Sequence, residues 1–331
     1  MTRTLRWWLA MLAVAAALPV LLLVTWLFVT QLRNEQREAR DRALRIAQGI
    51  AERIGALHTD STVLLQHRGI NVLTDPILSQ RASPLSFAGP RRHSPAALAA
   101  TELPPIDVVV ISHDHYDHLD VSTIRTLGDG PRYFVPLGLK TWLINRGINA
   151  ERITELDWWE GATLDHLSFT ATPARHFSGR GITDSKKTLW ASWVLAGKNT
   201  NIYFSGDSGY GPHFAEIKEK FGPFDFAMME CGQYNEKWEA IHMMPEQTAR
   251  AAVDVGAKVM MPIHWGAFVL ALHSWTDPIE RVTRKAGELK IPIATPKIGQ
   301  PVILNRSRRA RWSPGRPSTT RGSGTTVSCS G

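Results

Sequence analysis

Val108-Val109-Val110-Ile111-Ser112-His113-Asp114-His115-Tyr116-Asp117-His118 sets an uninterrupted apolar run directly before three histidines and two aspartates. A short run of β-branched residues bounded by polar ones reads as a buried strand. A strand that ends in a tight loop presents several side chains to one point. Three imidazoles with a carboxylate form a donor set that Zn2+, or a related divalent ion such as Mn2+ or Fe2+, accepts. The alternative is a solvated histidine-rich loop, which leaves so many polar groups at the end of a buried strand unexplained.

Working outward, short apolar runs punctuated by Gly, Pro, Asp and His continue on both sides from residue 61 to 305, the extent expected for a catalytic domain. Residues 63–66, 70–73, 108–111, 133–135, 167–172, 189–195, 202–204, 224–228 and 259–263 read as strands. Residues 121–127, 139–145, 214–220, 246–255 and 279–290 read as helices. Strands therefore occur both as hairpins and in alternation with helices. That mixture predicts an α/β (α+β) fold of two sheets packed face to face with helices outside.

The ends of the chain differ from this middle. Trp7 to Thr30 carries no charge and is long enough to cross the roughly 30 Å hydrocarbon core of a bilayer. Residues 1–33 thus read as a short tail and a transmembrane anchor, with a cleaved signal peptide as the rival reading. Lys and Arg counts on the two sides lean toward a cytoplasmic catalytic domain. Residues 34–57 mix charges with Ala, Leu and Ile at helical spacing and predict an amphipathic juxtamembrane helix, giving a segment of 34–60. Residues 306–331 are Ser, Thr, Gly, Pro and Arg, too polar to bury a core. The net charge of +8 falls to +2 once the six arginines after Leu304 are set aside, so the body offers no broad footprint for nucleic acid. Two cysteines, Cys231 and Cys329, exclude a disulfide framework and a thiolate zinc site.

The motif His113-x-His115-x-Asp117-His118 resembles the metal motif of the metallo-β-lactamase superfamily. That resemblance implies a four-layer αββα sandwich of two mixed sheets and three later ligands, each of which has a match where a strand yields to a loop. His176 stands in Pro173-Ala174-Arg175-His176-Phe177-Ser178-Gly179, Asp207 in Ser205-Gly206-Asp207-Ser208-Gly209, and His264 in Met261-Pro262-Ile263-His264-Trp265-Gly266. Leu73-Thr74-Asp75-Pro76, Ser83-Pro84 and Phe87-Ala88-Gly89-Pro90-Arg91 narrow the resemblance to the branch of N-acyl-phosphatidylethanolamine phospholipase D and the bacterial ascorbate-phosphate lactonase relatives. The chain departs from that branch before its first strand: His58-Thr59-Asp60-Ser61-Thr62 stands where a Gly-His-Ser/Ala-Thr turn is usual.

The resemblance implies two Zn2+ ions, with Mn2+ or Fe2+ as substitutes. His113, His115 and His176 would hold one, Asp117, His118 and His264 the other, with Asp207 bridging and Asp117 serving catalysis as well. Asp75 is expected either to accept an N–H from a ligand histidine or to be a simple turn aspartate. His242 is expected to assist the leaving group or bind phosphate, or else to cap or pack. Asp120 reads as a helix N-cap and Cys231 as a core residue. Trp158, Trp159, Trp238 and Trp275 read as core or as an acyl pocket. The leading expectation is a phosphodiesterase acting on N-acylated phosphatidylethanolamine-like lipids, for which a membrane tether is an aid. A lactonase or other small-ester hydrolase and a non-catalytic metal-binding protein are the alternatives.

Overall fold

The structure, a computed structural model, describes residues 54–304 together with Trp26 and Thr30. In it Val108–Val110 form strand β4, each valine fully buried, as a β-branched run covered on both faces should be. Val108 and Val110 belong to a core shared with a second sheet, whereas Val109 and Ile111 belong to a core beneath two helices. This division is the two-residue period of a strand.

The first sheet has seven strands in the order β13 (Val302–Leu304), β1 (Ile54–Thr59), β2 (Thr62–His67), β3 (Ile70–Thr74), β4, β5 (Arg132–Pro136) and β6 (Ile153–Leu156). The second has six, in the order β12 (Met260–Ile263), β11 (Phe226–Glu230), β10 (Thr200–Phe204), β9 (Ser192–Gly197), β8 (Leu167–Thr172) and β7 (Gly161–Leu164). Val63, Leu65 and Phe134 from one sheet meet Phe169, Trp193 and Phe204 from the other. Each such fully buried Phe is worth roughly 1.5–3 kcal/mol, so the apolar middle holds the sheets together and leaves the loops free to carry polar groups. Helices α1 (Val121–Leu127) and α2 (Lys140–Ile144) cover the outer face of the first sheet through Ile124 and Leu143. Helices α3 (His213–Phe221), α4 (Pro245–Asp254) and α5 (Asp277–Glu288) cover the second through Phe214, Ala251 and Val282. The expected order of helix, sheet, sheet, helix is present.

Strand direction is what positions the site. In the first sheet β2 is antiparallel to both neighbours and β3 is parallel to β4, so β1, β3 and β4 share a direction. In the second, β10, β11 and β12 are parallel, and β8 shares their direction because β9 opposes both β8 and β10. All the strands that precede a candidate site residue therefore end at the same edge of their sheet. Trp193 Nε1 donates across the core to the Ile111 carbonyl at 2.9 Å, and Ala191 N to the Ser112 carbonyl at 2.9 Å, which ties the β4 loop to the second sheet.

The expected helix over 34–57 is corrected at its end. Ile54–Thr59 is strand β1, paired with β13 on one side and β2 on the other, so these residues belong to the first sheet and not to a helix. Helical spacing is a local preference, and a two-sided ladder outweighs it. Strands β6 and β7, unforeseen in the sequence, are short, half-exposed edge strands. The rest of that helix, the span from Trp7 to Thr30 apart from Trp26 and Thr30, and the tail from 306 lie outside the described residues. Among the described residues no helix is long and apolar enough to cross a membrane.

Candidate metal centre

The seven expected ligands converge. His113, His115 and His176 form one group and Asp117, His118, Asp207 and His264 a second; within each, one donor atom per residue lies within 4.8 Å of all the others. In the first group His113 Nε2 is 2.9 Å and His176 Nε2 3.2 Å from His115 Nδ1. In the second, His118 Nε2 and His264 Nε2 lie 3.1 and 3.2 Å from Asp207 Oδ2, and 3.6 and 3.8 Å from Asp117 Oδ2. The same Asp207 Oδ2 is 3.9 Å from His113 Nε2 and 3.8 Å from His176 Nε2. Asp207 thus stands between the two groups.

The surroundings decide which nitrogen of each ring faces inward. Ser112 Oγ donates to Asp75 Oδ2 at 2.5 Å, which leaves it to accept from His113 Nδ1 at 2.8 Å. Asp75 Oδ2 accepts from His118 Nδ1 at 2.7 Å, and Asp75 Oδ1 from Ser112 N at 2.6 Å. His176 Nδ1 faces the Ile241 carbonyl at 3.0 Å, and His264 Nδ1 faces Ser61 Oγ at 3.1 Å. With Nδ1 committed to these partners in the four rings, Nε2 is the nitrogen aimed at the centre, as orienting partners of ligand histidines arrange.

Burial pushes His113, His176 and His264 well below the usual imidazole range and His115 to about 4, so these rings are neutral acceptors at pH 7. His118 goes the other way: burial opposes its charge, but the carboxylates of Asp207, Asp117 and Asp75 raise it well above that range. Burial lifts Asp207 to about 6. His118 Nε2, His264 Nε2 and Asp207 Oδ1 are buried and, despite the short separations above, have no aligned hydrogen-bond partner. Leaving such a group unsatisfied costs about 1–3 kcal/mol. A tetrahedral Zn2+ with bonds of about 2.0–2.1 Å spaces its donors about 3.3 Å apart, and the donors here stand 2.9–3.9 Å apart. The residues fit a pair of divalent ions.

The sequence profile of a beta-lactamase superfamily domain matches residues 70–265. This chain belongs to that superfamily. A Mycobacterium tuberculosis protein described as uncharacterized is 45% identical over 73% of this chain and 66% of its own length. The N-acyl-phosphatidylethanolamine-hydrolyzing phospholipase D 1 of Caenorhabditis elegans is 40% identical over 63% of this chain and 62% of its own. The chain thus spans about two thirds or less of the length of these relatives. Igni18, a metallo hydrolase of the archaeon Ignicoccus hospitalis, shares the fold, with a TM-score of 0.60 and 20% identity over 77% of this chain and 99% of its own.

Beyond the ligands, Asp75 occupies the orienting position foreseen as one of its two readings, and Asp120 caps α1 by accepting from Ser122 N at 3.1 Å. His242 sits at the centre, grouped with His176 and Asp207. Three residues escaped sequence reasoning. Glu230, fully buried at the end of β11, accepts from His242 Nδ1 at 2.8 Å and Met243 N at 3.1 Å, and burial raises its carboxyl well above the usual range. Ser112 joins Asp75 to His113 through its hydroxyl. Asp60 lies 3.9 Å from His264 Nδ1, both oxygens without a partner, in the turn where the chain departs from its branch. That departure was the available signal. Among the four tryptophans, Trp158 packs against the core and donates to the Trp190 carbonyl at 2.7 Å, whereas Trp275 is exposed in the loop after His264. Cys231 is buried in the core, as expected.

Proposed function

We propose that the chain is a dinuclear zinc phosphodiesterase that hydrolyses N-acyl-phosphatidylethanolamine-like lipids to a phosphatidic acid and an N-acylethanolamine. The observation that carries the hydrolase reading is the set of four inward-facing Nε2 atoms within 3.1–3.9 Å of one Asp207 oxygen. His113, His115 and His176 would hold one ion, Asp117, His118 and His264 the other, with Asp207 between them. Two bound zinc ions lower the pKa of water toward 7 and polarise a phosphoryl oxygen.

The chain's own residues supply the rest. Asp75, Ser112 and Ser61 fix the ring tautomers. His242, with Nδ1 committed to Glu230, has Nε2 free to take a proton from the attacking water and pass it to the departing ethanolamine oxygen as the water oxygen replaces it on phosphorus. The lipid class is supported by the name of the Caenorhabditis elegans relative and by exposed apolar side chains on the loops that follow two of the ligands. Ile182 follows His176, and Val269, Leu272 and Trp275 follow His264. Such a rim suits acyl chains. The Trp7–Thr30 segment, as an anchor, would hold the site at its substrate's surface.

The test is turnover of N-acyl-phosphatidylethanolamine in vesicles by the zinc-loaded chain, beside His115→Ala and Asp207→Asn. Phosphatidic acid release by wild type and its loss in both variants is expected. Turnover of soluble lactones alone would replace the lipid assignment with the lactonase one, and full zinc content with no turnover of either would leave a metal-binding protein.

A further inference from the structure

Beside the metal centre lies a cavity of about 810 Å³ whose walls include Arg81, Arg125, Arg146 and Arg180, with Tyr116 and Ser122 between them. Asp120 is the one carboxylate in its lining, and it is already engaged, accepting from Ser122 N, from Ser79 N at 3.1 Å and from Thr123 Oγ1 at 2.6 Å. Among the described residues none of the four arginines forms an ion pair with a carboxylate. Four arginines therefore line the cavity against a single, committed acid.

Two of them are held rigidly. Arg146 stacks on the Trp142 ring at 3.5 Å and donates to the Trp142 carbonyl at 2.9 Å. Arg180 lies 4.0 Å over the Tyr116 ring and donates to the carbonyls of Asp114 at 2.5 Å and Leu119 at 2.9 Å, both in the loop that carries His115 and Asp117. Burial and then the neighbouring charge of Arg125 lower the pKa of Arg146; for Arg180, burial and the charge of Arg146 act the same way, opposed by Tyr116 and Asp114. The fold keeps these cations together at an electrostatic cost that Tyr116 and Asp114 offset only in part. A planar carboxylate satisfies one guanidinium fork. Guanidiniums arriving from four separate segments, with serine hydroxyls among them, suit a tetrahedral anion with several oxygens.

We propose that this cavity binds a phosphate-type anion beside the metal centre, Arg125 and Arg146 supplying the charge and Arg180 joining the bound group to the metal-ligand loop. The ligand is a free phosphate or the phosphate of an anionic lipid headgroup. The site is separate from the hydrolytic one, and its test needs no turnover.

Zinc-loaded full-length protein in detergent is dialysed against labelled inorganic phosphate, and its partition onto phosphatidylcholine vesicles with and without phosphatidylglycerol is measured. Wild type is compared with Arg125→Gln/Arg146→Gln and with Lys220→Gln/Lys258→Gln, which removes equal charge near the other ends of β10–β12. The arginine variant is expected to lose affinity by about tenfold or more in one arm, with zinc content unchanged and the lysine variant like wild type. Loss of one phosphate per chain, beyond what the metal centre retains, names free phosphate; loss confined to phosphatidylglycerol vesicles names the headgroup. Equal behaviour of the two double variants in both arms overturns the proposal. If Arg146→Gln lowers Tm by releasing Trp142, Arg125→Gln alone, at an exposed side chain, is judged by the same criterion.

Discussion

Asp75→Asn exchanges one oxygen for an NH2 group and should reverse the proton on a metal-ligand ring. Asp75 is fully buried and accepts three hydrogen bonds, from Ser112 N at 2.6 Å, Ser112 Oγ at 2.5 Å and His118 Nδ1 at 2.7 Å. Its backbone has φ of +34°, in a range where Asn is tolerated, so the substitution isolates the side-chain chemistry. If the amide oxygen keeps Ser112 N, the new NH2 faces Ser112 Oγ and His118 Nδ1. The serine hydroxyl can turn and accept. His118 can satisfy the NH2 only with a bare Nδ1, which moves its proton to Nε2, the atom that points at Asp207. Loss of such an orienting partner weakens metal binding by about 10–100-fold, or about 1.4–2.8 kcal/mol. The ion held by Asp117, His118 and His264 should be lost first. Competition between the protein and a calibrated zinc chelator at constant pH measures this, with urea unfolding of the metal-free proteins as the control. Zinc affinity within twofold of wild type at both sites would show that Asp75 does not set the tautomer of His118.

Three further outcomes are expected. Burial, followed by the charge of Asp117, raises the Asp60 carboxyl from 3.8 to about 7; the folded chain then holds this proton more tightly than the unfolded one, so the group's stabilisation is complete below about pH 4 and is lost as pH rises to 7, by at most about 4 kcal/mol. Metal-free Asp60→Asn should gain on wild type across that window, and parallel pH–stability curves for the two proteins would refute it. Glu230→Gln removes one of the two acceptors shared by His242 Nδ1 and Met243 N and should cut kcat by about tenfold or more at unchanged zinc content. The same change should cost almost nothing in a His242→Ala background, and equal losses in both backgrounds would assign Glu230 a structural role. In Gly232→Ala the new Cβ would stand 1.7 Å from the His264 carbonyl oxygen, and His264 already lies in the left-handed region with φ of +64°. The displaced segment should cost about 2–4 kcal/mol and some zinc, read as Tm and metal content.

The parts of this protein legible in its sequence are those set by short-range pattern. Val108–Val110 could be nothing but a strand buried on both faces, and His113, His115, Asp117 and His118 followed it directly. His176, Asp207 and His264 could be picked out only through the resemblance that this motif raised, each matching at the end of an apolar run. Ile54–Thr59 failed the same test, because its helical spacing is local while its partners, β2 and β13, are supplied by the assembled sheet. What tertiary structure alone decided is which loops meet. Ser61 reaches His264 across 203 residues, and Ser112 reaches Asp75 across 37. Glu230 reads locally as the polar end of a strand, yet it is the acceptor that holds His242. The four arginines come from four segments with no common motif. A residue's period along a strand fixes the face it takes, but strand direction and sheet packing fix its neighbours, and those depend on pairings that no short window of sequence contains.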